Sequence, residues 1–502
     1  MNCTTGEMNA PETHPPTPPR RRNPWWRNWF SLAGLVIALG SLFSFLLLFI
    51  LDSFAHFNNP YIGVLTYLVA PGFLILGLAL AVAGALWRRY RLRTVGAVPP
   101  LSIDLARPRD RRILGYFIAG SALFLLLSAV GSYKTYQFTE SVSFCGQTCH
   151  AVMQPEYTAY ENGPHARVAC ADCHIGPGAS WFVRSKLSGT YQVYATLFDK
   201  YPRPIPTPVA NLRPAQATCE QCHWPEAFIG NLDRTFYYFL SDRTNTPYTI
   251  RMVLKVGGGN PSGGPVSGIH WHMSIENKIE YIATDKQRQV IPWVRLINRD
   301  TGRVTVFRTP DFTNDISHYT IRTMDCIDCH NRPAHKFISP NSAVNLALEL
   351  NQIDRSLPFV KSNAVYVLTR PYKTTVEATE GIATVLSNAY PASDGLRKTI
   401  FAVQTIYEHN FFPEMKTKWN VHPDNIGHMI SAGCTRCHDG NHKSVKTGRT
   451  IRAKDCNSCH IILAQGRGAE LKQFNAAGEV FKHPGGELDP SMACTDCHDG
   501  TF

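Results

Sequence analysis

Six copies of the pattern Cys-x-x-Cys-His follow residue 169 of this 502-residue sequence. This pattern is the attachment motif of c-type haem, because its two thiols bond to one haem and the adjacent histidine reaches the iron. Zinc sites combine two cysteine pairs, or one pair with two histidines, and need no histidine after every second cysteine. The six motifs are Cys170, Cys173 and His174; Cys219, Cys222 and His223; Cys326, Cys329 and His330; Cys434, Cys437 and His438; Cys456, Cys459 and His460; and Cys494, Cys497 and His498.

A seventh site differs from these motifs by one residue. In the stretch SFCGQTCHAVM, Cys145 and Cys149 enclose three residues instead of two, and His150 follows directly. We predict that this site also binds haem, giving seven covalent haems, and that Met153 or His150 holds its iron. The alternative role for Met153 is ordinary packing beside a membrane.

Histidines outside the motifs can supply second iron ligands, because neutral imidazole binds haem iron well. For each of them, a surface or supporting role is the alternative. If GIHWHM is a strand, its two histidines share one face, and one or both are ligands. The ten candidates are His165, His270, His272, His318, His335, His409, His422, His428, His442 and His483.

Three long runs without charge precede the motifs and predict three membrane helices. They cover residues 30–51, 61–87 and 113–130. Each is near or beyond the roughly 20 residues that cross a hydrocarbon core. The first run is too long for the core of a signal peptide, and no small-residue cleavage site follows it. The lipid bilayer is therefore an expected partner.

Charge placement predicts the orientation of these helices. All 12 Lys and Arg residues before residue 133 lie in clusters at 20–27, 88–93 and 107–112. With a cytoplasmic N-terminus and three crossings of the bacterial inner membrane, all three clusters are cytoplasmic and the motifs are periplasmic. The net charge of +12 is thus largely a topology signal, and we expect no nucleic-acid partner.

The predicted fold class is a mainly α membrane protein, with three transmembrane helices followed by a multihaem region of little regular structure. An insertion at about 225–320 is rich in β-branched and aromatic residues, which predicts antiparallel β-hairpins. The predicted segments are a basic N-terminus (1–28), a membrane anchor (29–132), a tetrahaem module (133–340), a helical linker (341–408) and a trihaem module (409–502).

Residues 113–335 resemble the NapC/NirT (NrfH-like) family of membrane-anchored quinol dehydrogenases. The shared features are a membrane helix, the segment FC…CHAVM, the stretch HARVACADCHIGPGASWFVRSKLSG and the stretch CIDCHNRPAH. The whole chain, with three spans and seven haem sites, is similar to the inner-membrane heptahaem cytochromes of bacteria that respire extracellular metals.

The resemblance implies that a methionine after the first motif holds the first iron and leaves a position open near the membrane. Met153 fits this role, although it lies three residues after His150, where the family usually has two. The resemblance also implies a quinol pocket in RSKLSGTYQVYATLF, with Lys186 facing the quinol and Tyr194 nearby. The alternative for this stretch is an amphipathic helix on the membrane surface.

Gln192 departs from the family pattern, because relatives often carry an acidic residue near this position. An amide cannot accept the proton that quinol oxidation releases. Asp199, Glu156 and Glu161 are the nearby carboxylates that can replace it.

These features favour a menaquinol dehydrogenase that passes electrons from the membrane quinol pool to periplasmic c-type cytochromes or a reductase. One alternative is a passive conduit fed by another membrane subunit, which needs the same haem chain. The other is a terminal reductase, which needs an iron with an open position; the surplus of histidines argues against it.

Overall fold

The structure is a computed structural model, and it divides the chain into two units. One comprises residues 1–136 with 177–179, and the other comprises residues 137–176 with 180–502. The basic N-terminus and the first nine residues of the second apolar run lie outside the described residues. The described residues are 28–55, 70–94, 103–148, 150–176, 179–209, 212–224, 228, 230–258, 267–313, 315–451, 456–487, 489 and 492–501.

The first unit is built on long helices: α1 (Trp29–Ala55), α2 (Ala70–Thr94) and most of α3 (Pro108–Thr139). Asn28 caps α1, its side-chain oxygen accepting the Ser31 N–H at 2.9 Å. Two spans, Trp29–Leu46 and Ala70–Thr94, are long and apolar enough to cross a membrane. The third predicted run lies within α3, and its crossing stays a prediction.

Small residues bring α1 and α2 together. A Cβ atom added to Gly34 would lie 2.5 Å from the carbonyl oxygen of Gly77. The two backbones therefore approach so closely that a larger side chain at Gly34 would not fit. Membrane helices commonly pack in this way, with small residues at the interface. The Ser31 hydroxyl adds a hydrogen bond by donating to the Ala81 carbonyl oxygen at 3.0 Å.

The prediction of a mainly α protein is wrong, because seven strands of the described chain form two antiparallel sheets. The predicted hairpins occupy the insertion, but one strand comes from the C-terminal region. The first sheet, in spatial order, is β1 (Leu232–Phe239), β2 (Pro247–Leu254) and β7 (His460–Gly466). The second, from edge to edge, is β5 (Val304–Arg308), β4 (Trp293–Asn298), β3 (Asn277–Ile282) and β6 (Arg322–Thr323).

The motifs themselves lie on short helices and turns, because the two cysteines must sit one turn apart to reach one haem. Between them run α4 (His150–Glu161) and the longer α6 (Ala179–Leu197). The short motif helices are α5 (Cys170–His174), α7 (Ala215–Cys219) and α8 (Cys326–Cys329).

Residues 340–410 form four helices that hold the largest protein core. Its central side chains, which include Val344, Leu348, Ile382 and Val403, are fully buried. Val152 from α4 and Phe239 from β1 join the same core. The segment that the sequence suggests as a linker is therefore a packed body to which the haem-motif region is attached. The helices are α9 (Pro340–Glu349), α10 (Val360–Thr369), α11 (Thr375–Ala389) and α12 (Asp394–Asn410).

Candidate haem centres

Each of the six histidines in the strict motifs faces a second histidine ring. Two imidazoles on opposite faces of one iron need about this separation, because the two metal–nitrogen bonds account for about 4 Å and the ring radii for the rest. The residues present therefore fit six haems with two histidine ligands each. The distances between ring centroids are 6.1 Å for His174 and His335, 6.2 Å for His223 and His165, 6.2 Å for His330 and His270, 5.8 Å for His438 and His272, 6.3 Å for His460 and His428, and 6.0 Å for His498 and His483.

Four of the non-motif rings are oriented by the backbone in the way that iron ligands require. In each, Nδ1–H donates to a carbonyl oxygen, which fixes the tautomer and leaves Nε2 free for the metal. The hydrogen bonds run from His165 to Pro333 (3.0 Å), from His270 to Val256 (3.2 Å), from His272 to Ile269 (2.7 Å) and from His335 to Glu156 (2.9 Å).

The ring of His483 is held differently from these four. The backbone N–H of Gly485 donates to its Nδ1 at 3.1 Å. Because Nδ1 accepts here, the ring proton lies on Nε2. Binding of Nε2 to iron therefore requires this hydrogen bond to break.

The four remaining candidates are not placed against a motif histidine in the described part of the chain. Both ring nitrogens of His442 are engaged, with Asp439 at 2.8 Å and the Ile291 carbonyl oxygen at 2.7 Å. His422 is buried beside Thr207. His318 is exposed, and His409 lies in the last turn of α12. Spacing alone could not separate these four from the six that form pairs.

Five of the six consecutive pairs of motifs lie near each other in the described chain. In each of these five pairs, a cysteine of one motif is close enough to a cysteine of the next to hydrogen-bond or to interact electrostatically. The second and third motifs interact through Cys173 and Cys222, and the sixth and seventh through Cys456 and Cys494. The other contacts are Cys145 with Cys170, Cys219 with Cys326, and Cys329 with Cys434.

The first site accommodates its extra residue in a wide π-helical turn, Phe144–Thr148. Such a turn inserts one residue into a helix and is frequent at functional sites. The ring of Tyr157 lies against Gly146, where an added Cβ would overlap the ring. Sequence reasoning missed Tyr157, since nothing in the motif spacing points to it. Met153 is half-buried on α4, whereas Cys149 and the side chain of His150 lie outside the described part of the chain.

Two comparisons with known proteins show the family of the chain. The model of the N-terminal region of the NapC/NirT cytochrome c family matches residues 107–204. The cytochrome c-type protein ImcH of Geobacter sulfurreducens is 41% identical over 488 residues, which cover 94% of this chain and 95% of that protein. The chain belongs to the NapC/NirT cytochrome c family. Membership makes it a multihaem membrane cytochrome of the c type, with covalent haem and a role in electron transfer. No solved structure matches the chain significantly.

The part that matches the NapC/NirT model includes α6, which carries the candidate quinol residues. Lys186 lies in this helix, and its side chain is outside the described part. The Gln192 amide donates to Ser188 Oγ at 3.3 Å, and the Tyr194 hydroxyl accepts from Lys200 Nζ at 3.0 Å. Leu187, Leu197 and other apolar side chains of the helix are exposed. An exposed apolar face of this kind suits a membrane surface or an apolar quinol.

The three carboxylates that could replace an acid at Gln192 have different surroundings. Arg203 binds Asp199 and lowers the pKa of that carboxyl, which makes it a weak proton acceptor. Burial raises the pKa of Glu156, against the opposing effects of its backbone hydrogen bond and of Arg332. Glu161 is exposed at the end of α4. Of the three, Glu156 has the environment that best suits a proton acceptor.

Proposed function

We propose that the protein oxidises menaquinol at the periplasmic face of the inner membrane and relays the electrons through seven covalent haems to periplasmic c-type cytochromes or a reductase. The N-terminus is cytoplasmic, and the chain crosses the membrane three times. The placement of the basic clusters supports this orientation. Family membership and the apolar helices support the membrane location.

The order of the motifs is the observation that supports a relay best. Cys145 follows the end of α3 by six residues. From that site, interactions between cysteines lead through the second, third and fourth motifs to the fifth. Electron transfer between cofactors weakens steeply with distance, so such a series is what a directed relay needs. A chain with one catalytic haem would not need it.

Oxidation of one menaquinol releases two electrons and two protons, and the quinone leaves. Haem, when bound, takes up one electron at a time. The six histidine pairs would hold six of the irons, and in the first site Met153 or His150 would be the ligand. Lys186 and Tyr194 position the quinol, a nearby carboxylate takes one proton in place of Gln192, and the second proton passes to water at the membrane surface.

The test is reduction of the purified protein in detergent by a menaquinol analogue, followed by haem absorbance. We expect rapid reduction, slowed about 10- to 100-fold by Lys186→Gln, because a hydrogen bond to a charged group is lost. Lys446→Gln, at an exposed lysine of the C-terminal region, is the matched control and should be silent. If dithionite reduces the haems and the quinol reduces none, the protein is a conduit fed by another subunit.

A further inference from the structure

One short turn of the insertion carries two of the paired histidines. The double-histidine turn, Ile269–Met273, is a single 3-10 turn. Its His270 faces His330 of the fourth motif, and its His272 faces His438 of the fifth motif. The fourth motif ends the predicted tetrahaem module and the fifth begins the predicted trihaem module. His270 and His272, only two residues apart, can therefore bind two irons that lie in different modules.

The backbone fixes the double-histidine turn to the end of β2. Ile269 N–H donates to the Lys255 carbonyl oxygen at 2.8 Å, and His270 N–H donates to the Val256 carbonyl oxygen at 2.9 Å. Gly268 enters the turn with a φ of 79°, and a Cβ there would overlap Lys255. Only glycine adopts this conformation without strain and allows this approach. The backbone that carries His270 and His272 is therefore fixed in position.

The same end of β2 is joined to the sixth motif. Leu254 pairs with His460 in the β2–β7 register, and Lys255 N–H donates to the Cys459 carbonyl oxygen at 2.8 Å. Lys255 thus binds the sixth motif through its N–H and the double-histidine turn through its carbonyl. Three consecutive haem motifs are held by one backbone segment.

The fourth and fifth motifs also touch directly. Arg436, between the two cysteines of the fifth motif, donates to the Asp328 carbonyl oxygen at 2.7 Å, and Asp328 lies between the cysteines of the fourth motif. Asn425 donates to the same oxygen at 3.0 Å. The two motifs are therefore locked together independently of the histidines, so their relative position does not depend on a flexible linker.

We infer that the double-histidine turn supplies the distal ligands of two irons, His270 for the fourth haem and His272 for the fifth, and that it fixes the point where electrons cross between the modules. The crossing, which rests on the proposed relay function, exchanges one electron: a ferrous iron of one module becomes ferric and a ferric iron of the other becomes ferrous. No bond is made or broken in this step, and no proton moves.

Ligation is tested by His272→Ala and His270→Ala, read by electron paramagnetic resonance of the oxidised protein. Each variant should keep seven covalent haems, since the cysteines are unchanged, and should convert one haem of the seven from low spin to high spin. The double variant should convert two. His318→Ala is the matched control and should convert none, because this histidine is exposed and faces no motif histidine among the described residues. An unchanged low-spin spectrum in either single variant would overturn the assignment.

A methionine variant keeps the test decisive if alanine impairs folding. Methionine ligates haem iron and raises its potential relative to histidine. His272→Met should therefore leave all seven haems attached, raise the midpoint potential of one haem in a redox titration, and add a sulfur-to-iron charge-transfer band at long wavelength. A variant that shows neither change has no ligand at position 272.

Crossing of electrons is tested by rapid mixing of His272→Ala with a menaquinol analogue. We expect the first phase, which fills the tetrahaem module, to keep its rate, and the later phase to slow at least tenfold. Equal slowing of the first and the later phase would contradict the inference that electrons cross between the modules at this turn. If the quinol fails to reduce the wild-type protein, the proposed function fails, whereas the spin-state result still decides the ligand assignment.

Discussion

Asp328 supports the fourth haem motif, and its removal should be among the most destabilising single changes. It is 3% exposed. Its Oδ1 accepts from the Tyr281 hydroxyl at 2.7 Å, from Arg288 Nη1 at 3.1 Å and from Arg322 Nε at 3.1 Å. Its Oδ2 accepts the Asp325 N–H at 2.9 Å, which closes the N-terminus of α8. Asp328 thus ties the motif to the β3 and β6 strands.

Asp328→Ala should lower the free energy of local unfolding by about 3–5 kcal/mol, because two arginines and a buried hydroxyl lose their shared acceptor. Native-state hydrogen exchange of the β3 amides measures this loss without requiring reversible unfolding of the whole chain. Asp328→Asn keeps the shape and one acceptor oxygen but loses the charge and the second acceptor, so it should cost less than the alanine variant. Asp394→Ala, at an exposed aspartate that pairs with an exposed arginine, should leave β3 exchange unchanged. A loss below about 1 kcal/mol in Asp328→Ala would refute the reasoning.

Three other predictions test separate parts of the molecule. Gly146→Ala should disturb the spectrum of the first haem, because the new Cβ meets the Tyr157 ring, and adding Tyr157→Ala should restore it; failure of the rescue would show that this contact is not the cause. Burial lowers the pKa of Lys361 to about 8 from 10.5. Between pH 8 and pH 10.5 the lysine is protonated in the unfolded state but neutral in the folded state. The free energy of unfolding, measured by urea titration, should therefore rise by about 3 kcal/mol over this range, and Lys361→Met should abolish the rise. Among the six haems with paired histidines, the reduced protein should bind carbon monoxide first at the seventh, since ligation by His483 breaks its hydrogen bond from Gly485. His483→Ala should make this binding stoichiometric, and earlier carbon monoxide binding at another of these six haems, seen by resonance Raman, would contradict it.

Much of the arrangement was predictable from local patterns. Haem motifs are local by nature, so the six strict motifs and the candidate first site were visible in the spacing of Cys145 to Cys497. The apolar runs predicted helices because a membrane span is set by length and composition alone. Alternating β-branched and aromatic residues predicted the hairpins, as in PYTIRMVL of β2.

The rest depends on contacts between distant parts of the chain. The pairing of β2 with β7 has no local signature, since HIILAQG reads equally as a buried turn or strand. The ten candidate histidines looked alike in sequence. The hydrogen bond from His442 to the Ile291 carbonyl oxygen distinguishes this histidine from those that face a motif histidine. Only the fold brings His442 and Ile291 together. The same holds for Val152 and Phe239, which complete a core formed mainly by residues 340–410.

The position of β7 constrains how the protein matures. The β1–β2 hairpin emerges early in synthesis, whereas the strand that covers its open edge begins at His460 in the sixth motif. Until β7 has been synthesised, β2 therefore presents unpaired backbone groups, which promote association with other chains. A chain shortened before this strand would keep that edge exposed permanently. The first group of haem motifs therefore depends on a strand from the second group to complete its sheet.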